Sequence, residues 1–365
     1  MKCFSIGPEE IPRFLAVARR LNASDPAWVP ALEAVVAREL AGKDAFGAYG
    51  RMRLFLCTSD GEDVGRAAAI VNPRLHGLAG APVGQIGYFE CIDDLAAAGV
   101  LFEEASAWLH EEGAEKVWGP MNGGAHRLHR SLVDGFDRAP FLFEPRNPPH
   151  HPRLWHAHGF RVIHRWSTYE ATLPQLKKGL FEELGMERAM KRVGKRFEIS
   201  APLMGDRATT LPRLHALLDA FWEGHVGYAP LSLEEFGEAF GGALAVMPDW
   251  CLGISVESAT KKDAACAFMY PDWIEEARAL DGDASGWGRW MSGPTPRRIV
   301  LHTLAAVEEA RRAGAAHFIL YNSFPYLERA GITAATIAMV TEEMRIFDRV
   351  ASPTRRYALF GKVIT

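Results

Sequence analysis

The segment GYFECIDD carries one carboxylate, Glu90, inside a strand-like pattern. Period-two alternation puts Tyr88, Glu90 and Ile92 on one face and Phe89 and Cys91 on the other. A charged group on a core-facing strand must be satisfied, so Glu90 faces a cleft or pairs with an arginine. Directly after it, Asp93 and Asp94 stand where the chain turns into a helix. Two carboxylates there stabilise the positive end of the helix dipole by about 0.3–1 kcal/mol each. They also repel a diphosphate, by about 4 kcal/mol per charge pair at 4 Å in a surface-like dielectric. Repulsion wins unless a metal bridges, so the turn reads as a capped helix start and not as a phosphate cradle.

The stretch SGPTPRRIVLH offers the opposite charge. Thr295 suits an N-cap and Pro296 the first helical position of a helix expected over residues 296–314. Arg297 and Arg298 then place positive charge at the positive end of that helix, which costs stability unless an anion sits there. The segment is a candidate phosphate site; the alternative has both arginines in water or paired with a carboxylate. His150, His151, His156, His158 and His164 crowd one region, and imidazole is a common metal ligand. No helical i, i+4 pair with a carboxylate accompanies them, so they read as solvated or interface histidines. Trp287 and Trp290 either line a substrate mouth or pack a domain interface. There is no Ser-His-Asp signature, Walker loop or HExxH.

The elements that must position these residues occur twice. Ile11-Pro12-Arg13 is echoed by Leu211-Pro212-Arg213 and Trp28-Val29-Pro30 by Tyr228-Ala229-Pro230, each 200 residues on. Gly113-Ala114 and Asn122 match Gly314-Ala315 and Asn322 at nearly the same offset. Shared order and offset point to two copies of one domain. In the first, a short strand, two helices, a hairpin around SDGED, the strand QIGYFECI, a long helix and the strand KVWGPMN follow one another. A short helix ending at Gly159 and a last strand complete it. The second copy repeats the order, with HFILYN as the counterpart of KVWGPMN. Between them PQLKKGLFEELGMERAMKRVGK reads as an amphipathic connector with Leu176, Leu180 and Leu184 on one stripe. The fold class is α/β (mixed α+β): residues 1–173, a connecting helix over 174–195, and residues 196–365. The segment 123–149 is apolar enough to fold over the first cleft and shape a pocket.

Bulk properties exclude some classes. A formal charge of -4 disfavours bulk nucleic-acid binding. No apolar run reaches the roughly 18 residues needed to span a bilayer. Five scattered cysteines without a CxxC pair read as reduced thiols in a cytoplasmic protein.

The order of elements, with Asn122 after KVWGPMN, Gly-Phe at Phe160, Asn322 and ERAGI, resembles the GNAT superfamily of acyl-CoA N-acyltransferases, in tandem. The resemblance covers nearly the whole chain. It implies two GNAT-like domains, each a mostly antiparallel twisted sheet flanked by helices. It implies acetyl-CoA or another acyl-CoA as cofactor, a small-molecule amine as substrate, and Glu90 on the strand that carries the family's base. Asn122 and Asn322 would lie beside the pantetheine arm, and Thr295, Arg297 and Arg298 would hold phosphate. The family's thiolate-protonating tyrosine is Trp155 in the first copy and Leu327 in the second, with Tyr326 adjacent as a substitute. The family's glycine-rich phosphate turn is absent from the first copy. Two other readings stay open: a non-catalytic binding or scaffold protein, and an aminoacyl-tRNA-dependent transferase of the Fem type using the connector's basic residues. A homodimer is compatible with either.

Overall fold

The computed structural model describes residues 1–75, 80–183, 185–200, 206–244, 247–286 and 294–364. The first half runs β1 (Lys2–Ile6), α1 (Ile11–Leu21), α2 (Glu33–Leu40), β2 (Arg51–Ser59), β3 (Glu62–Val71), β4 (Val83–Cys91), α3 (Leu95–Glu111) and β5 (Lys116–Gly119). Then come β6 (Ser131–Asp134), α4 (His151–Ala157) and β7 (Arg161–Thr172). The second half runs β8 (Phe197–Ser200), α7 (Arg207–Trp222), α8 (Leu233–Leu244), β9 (Leu252–Glu257), β10 (Asp263–Pro271) and α9 (Ile274–Leu280). It ends with β11 (Arg298–Ala306), α10 (Glu308–Arg312), α11 (Ala315–Arg329), β12 (Ala334–Thr341) and β13 (Pro353–Val363). The connector is broken into α5 (Leu173–Lys177), a π-helical turn over Lys178–Glu182, and α6 (Met186–Val193), where a single helix was expected. Gly185, in the left-handed region at φ 59°, separates the last two pieces. Leu176 and Leu180 are buried as their stripe predicts; Leu184 lies outside the described residues. No described helix is long and apolar enough to cross a membrane.

All strands join one sheet, in the order β1-β2-β3-β4-β5-β13-β7-β12-β11-β10-β9-β8, with β6 on β13. Among the described residues only β4 with β5 and β11 with β12 run parallel. The last strands are exchanged: β13 closes the sheet beside β5, and β7 beside β12. β7 and β13 pair antiparallel with each other at the centre. Neither half can therefore be completed without the other's final strand. On one face of the first half α3 and α4 bury Leu101, Phe102, Leu109 and Trp155 against the sheet. On the other, α1 buries Ile11, Phe14 and Val17, an i, i+3, i+6 stripe facing the sheet.

The repeat is real in its first part. Arg13 pairs with Asp63 at 2.8 Å, and Arg213 pairs with Asp263 at 2.6 Å in the equivalent hairpin. The offset then drifts, because α9 and residues 281–297 intervene before β11. Two expectations fail for that reason. Residues 298–306 are a strand, and helix begins only after Val307. Ile299, Val300 and Leu301 are buried on both faces; a central strand reads as an unbroken apolar run, which periodicity cannot separate from a buried helix. HFILYN is not a strand but lies within α11, whose buried stripe is Ala315, Ile319, Leu320, Phe324 and Leu327.

The segment after β5 reaches across the seam. Phe141 and Leu142 join the core of the second half. The Leu142 N–H donates to Asp272 Oδ1 at 2.8 Å, and the Tyr270 hydroxyl donates to Leu142 O at 3.1 Å. Glu144, almost fully buried, meets Arg355 Nε at 3.2 Å and accepts from the Tyr357 hydroxyl. Burial pushes its carboxyl up to about 7, against the opposing pull of Arg355 and Tyr357. A raised folded-state pKa means that the folded chain holds the proton more tightly. Glu144 thus contributes stability below its unfolded value and loses it as pH rises to about 7. Glu144→Gln should therefore flatten the fall in stability between about pH 4.5 and 7, measured by urea unfolding across that range. An unchanged slope would remove Glu144 as its source.

Candidate functional site

The site is built on a kink in β4. Tyr88 sits in the left-handed region at φ 48°, and the β3–β4 register shifts between Arg66 and Ala68. Such a conformation costs a non-glycine residue about 1–3 kcal/mol and is held only by its surroundings. Here the holder is Asn122, whose Oδ1 accepts from the Tyr88 N–H at 2.8 Å. Gln85 Oε1 accepts from the Gly123 N–H at 3.0 Å, a second tie between β4 and the end of β5. β4 and β5 pair in parallel from Val83↔Lys116 to Gln85↔Trp118, and the chain after β5 stays on β4, with the Met121 N–H donating to Ile86 O at 3.0 Å. Gly87 is required by this close approach, since a Cβ there would lie 2.4 Å from Met121 O.

A cavity of about 580 Å³ opens on the α1–α2 side of this kink. Its apolar walls include Leu15, Trp28, Val36, Phe141 and, from the second half, Leu231. Glu90 and Asn122 both line it. Glu90 stands opposite Arg66 in the β3–β4 register. Asn22 Nδ2, at the end of α1, donates to Glu90 Oε2 at 3.1 Å and to Ala18 O at 2.9 Å. Burial raises the Glu90 pKa, and Arg66 and Asn22 pull it back. Of the two alternatives read from sequence, Glu90 lines a cleft; Arg66 stands across the register and acts on it through its charge, without an ion pair at bonding distance. Arg66 in turn donates from Nη1 to Phe14 O at 2.9 Å and stacks 4.7 Å from the Phe14 ring.

Further polar groups meet in the cavity that the sequence did not single out. The Tyr88 hydroxyl donates to Glu39 Oε2 at 2.7 Å. Burial raises the Glu39 pKa, with Arg127 and Tyr88 opposing. Arg127 is paired with Asp44 and stacks 5.0 Å from the Phe46 ring. Glu39 lies on α2 and Arg127 in the segment after β5, far apart in sequence. No spacing rule links them; the sheet brings them together.

The other residues singled out lie elsewhere. Arg298 opens β11 and pairs with Glu170 at 2.9 Å; Thr295 and Arg297 precede it outside any helix or strand. The helix start that made them a phosphate site is absent. Asn322 lies within α11 and donates to Phe318 O at 2.7 Å, so it is no counterpart of Asn122. Tyr326, also on α11, is 55% exposed with Arg329 stacked 4.7 Å from its ring. Trp155 is fully buried among aromatic side chains. The histidines, expected to be solvated or at an interface, differ among themselves: His156 is exposed and His151 is buried. His150 and His151 face Cys91 O through Nε2 at 2.8 and 3.3 Å, and His158 faces Leu95 O at 2.9 Å. Trp287 and Trp290 lie outside the described residues.

Neither half offers a bare helix start for a diphosphate after the strand that leads to its parallel pair. In the first, Asp94 Oδ1 caps the Ala97 N–H at 2.9 Å, a cap worth about 1 kcal/mol, and Asp93 pairs with Arg153. In the second, Glu308 and Glu309 occupy the first turn of α10. An acyl-CoA does not fit either turn through its diphosphate.

No protein-family model matches the chain. It is 25% identical to Protein YghO of Escherichia coli strain K12, across 98% of this chain and 94% of that protein. It is 27% identical to the bacterial ceramide synthase of Caulobacter vibrioides strain NA1000 / CB15N, across 62% of this chain and 59% of that protein. Among solved structures, a tandem GNAT protein from the clavulanic acid biosynthesis pathway superposes with a TM-score of 0.57 at 10% identity. That match covers 99% of this chain and 98% of the other. With its two parallel pairs in one mostly antiparallel sheet, the chain has the tandem GNAT fold.

Proposed function

We propose that the protein is an N-acyltransferase that moves an acyl group from an acyl-CoA thioester to a primary amine, with the chemistry in the cavity of the first half. The observation that carries this reading is Glu90, a partly buried carboxylate with a raised pKa lining that cavity beside the kink at Tyr88. Glu90 takes a proton from the substrate ammonium. The free amine attacks the thioester carbonyl, the C–S bond breaks, and the second amine proton ends on the leaving thiol. No covalent enzyme intermediate is needed, so positioning and proton transfer supply the rate. The apolar walls favour an amine with a hydrocarbon body. The ceramide synthase relative supports that choice, since ceramide is an amide of a long-chain amino alcohol. Five free cysteines support the cytoplasmic setting expected from sequence.

The acidic turns favour a second reading, a binding protein that does not catalyse. One assay separates the two. The chain is incubated with acetyl-CoA or palmitoyl-CoA and either a long-chain amino alcohol or a short polar amine. Thiol release and the amide product are followed by absorbance and mass spectrometry. Amide formation with the long-chain amine supports transfer. No amide from any pair, with the amines still bound, would leave the binding reading standing.

A further inference from the structure

A second cavity, of about 480 Å³, lies in the other half where β11 and β12 part after Leu301↔Ile337. It occupies the place that the Glu90 cavity occupies in the first half, yet its chemistry is reversed. Among the described residues no strand carboxylate like Glu90 lines it: β11 contributes Leu301, His302, Thr303 and Leu304. Its interior charge is instead Arg130, which, with His126, lines both cavities and thus lies in the wall between them.

Arg130 is poorly compensated. Among the described residues no carboxylate lies within ion-pair distance of it, and its Nε is buried without a hydrogen-bond partner. Its contacts are weak for a cation: Nη1 donates to Met339 Sδ at 3.0 Å, and the guanidinium stacks 4.3 Å from the Trp166 ring centroid. Burial pulls its pKa down to about 9, still charged at neutral pH. Two non-glycine residues in the left-handed region face each other here, Arg130 at φ 83° and Met339 at φ 52°. The backbone thus holds the guanidinium at a place where its desolvation is not repaid by the protein.

We infer that this cavity binds a small monocarboxylate with an aromatic or aliphatic body, its carboxylate held by Arg130. The walls fit the body: Trp166, Phe221, Trp222 and Met339 line the space. The charge count decides between oxyanions. Burial lowers the pKa values of His126, to about 3, and His302, to about 4, and also that of His164, so these three imidazoles are neutral at pH 7; His225, the fourth imidazole in the lining, interacts with Glu343 at the exposed rim. One guanidinium matches one negative charge; a phosphate monoester would bring a second, uncompensated one. Glu223 and Glu343 also line the cavity but are exposed, where solvent screens them. A planar guanidinium can grip a carboxylate through two parallel N–H donors, which fixes the ligand's orientation as well.

The test uses the full chain and three probes of one shape: phenylacetate, phenylacetamide and phenyl phosphate. Binding is read by calorimetry and by thermal shift. Phenylacetate is expected to bind at least about tenfold more tightly than either of the others. Arg130→Gln should abolish that preference, and Arg130→Lys should recover part of it. Should the Arg130 variants not fold, Phe221→Ala tests the same site: it should weaken phenylacetate while keeping the preference for carboxylate over amide. Equal binding of acid and amide, or no binding of any probe by the folded wild type, would overturn the assignment. Tighter binding of phenyl phosphate would overturn the monocarboxylate class. The outcome does not depend on amine acylation, because binding is read with no acyl donor or amine present, and Phe221 lines this cavity and not the Glu90 cavity.

Discussion

Glu90→Gln is expected to lower the rate of amide formation by about 10²–10⁴-fold, the usual contribution of a positioned general base. The carboxylate is held by Asn22 at 3.1 Å, so the glutamine can keep the side chain in place while losing the ability to take a proton. The substitution also leaves Arg66 without its facing charge, and a drop in melting temperature must therefore be measured alongside. The pH profile separates catalysis from stability. In the wild type, kcat/KM should fall on the acid side as Glu90 becomes protonated, at a pH above the ordinary glutamate range because burial raises its pKa. In the variant that limb should vanish. A folded variant that keeps the wild-type rate and acid limb would remove Glu90 from the mechanism.

Trp155→Ala is expected to destabilise the fold by about 3–5 kcal/mol, the range for deleting a large buried aromatic side chain. Trp155 is fully buried. Its ring centroid lies 4.6 Å from Phe102, 4.8 Å from Phe160 and 5.3 Å from Phe89, and it stacks at 5.9 Å on Phe360. Phe360 belongs to β13, so one side chain links α4, α3, β4 and the exchanged last strand. Gly119 lets it approach, since a Cβ there would lie 2.4 Å from the indole. Trp155→Phe should recover most of the loss. Urea unfolding measures both; a cost near 1 kcal/mol for the alanine variant would show that the cluster collapses into the space. The residue packs the core at the position where the resemblance placed a proton donor.

Several features were written in local residue types and needed no tertiary information. Asp94 caps α3 because its side chain reaches the Ala97 N–H three residues on. The hairpins, the face of α1 and the repeated Arg–Asp pairs follow from period and spacing. So does the α/β class. Glu90 was singled out as a charged group on a core-facing strand and Asn122 through the repeat and the resemblance, and both line the first cavity. Thr295, Arg297, Arg298, Asn322 and Tyr326 went astray for one reason: β11 is buried on both faces, its apolar run carries no period, and a helix assigned there shifted every later element. What only the tertiary structure decided is non-local. Strand exchange depends on which edge each last strand meets, and β7 and β13 present suitable apolar patterns to either. The kink at Tyr88 is held by Asn122 across the sheet, and Glu39, Arg127 and Arg130 reach their cavities from segments that no sequence spacing relates. Burial, which sets the charge of Glu90, the imidazoles and Arg130, exists only once both halves have closed on each other.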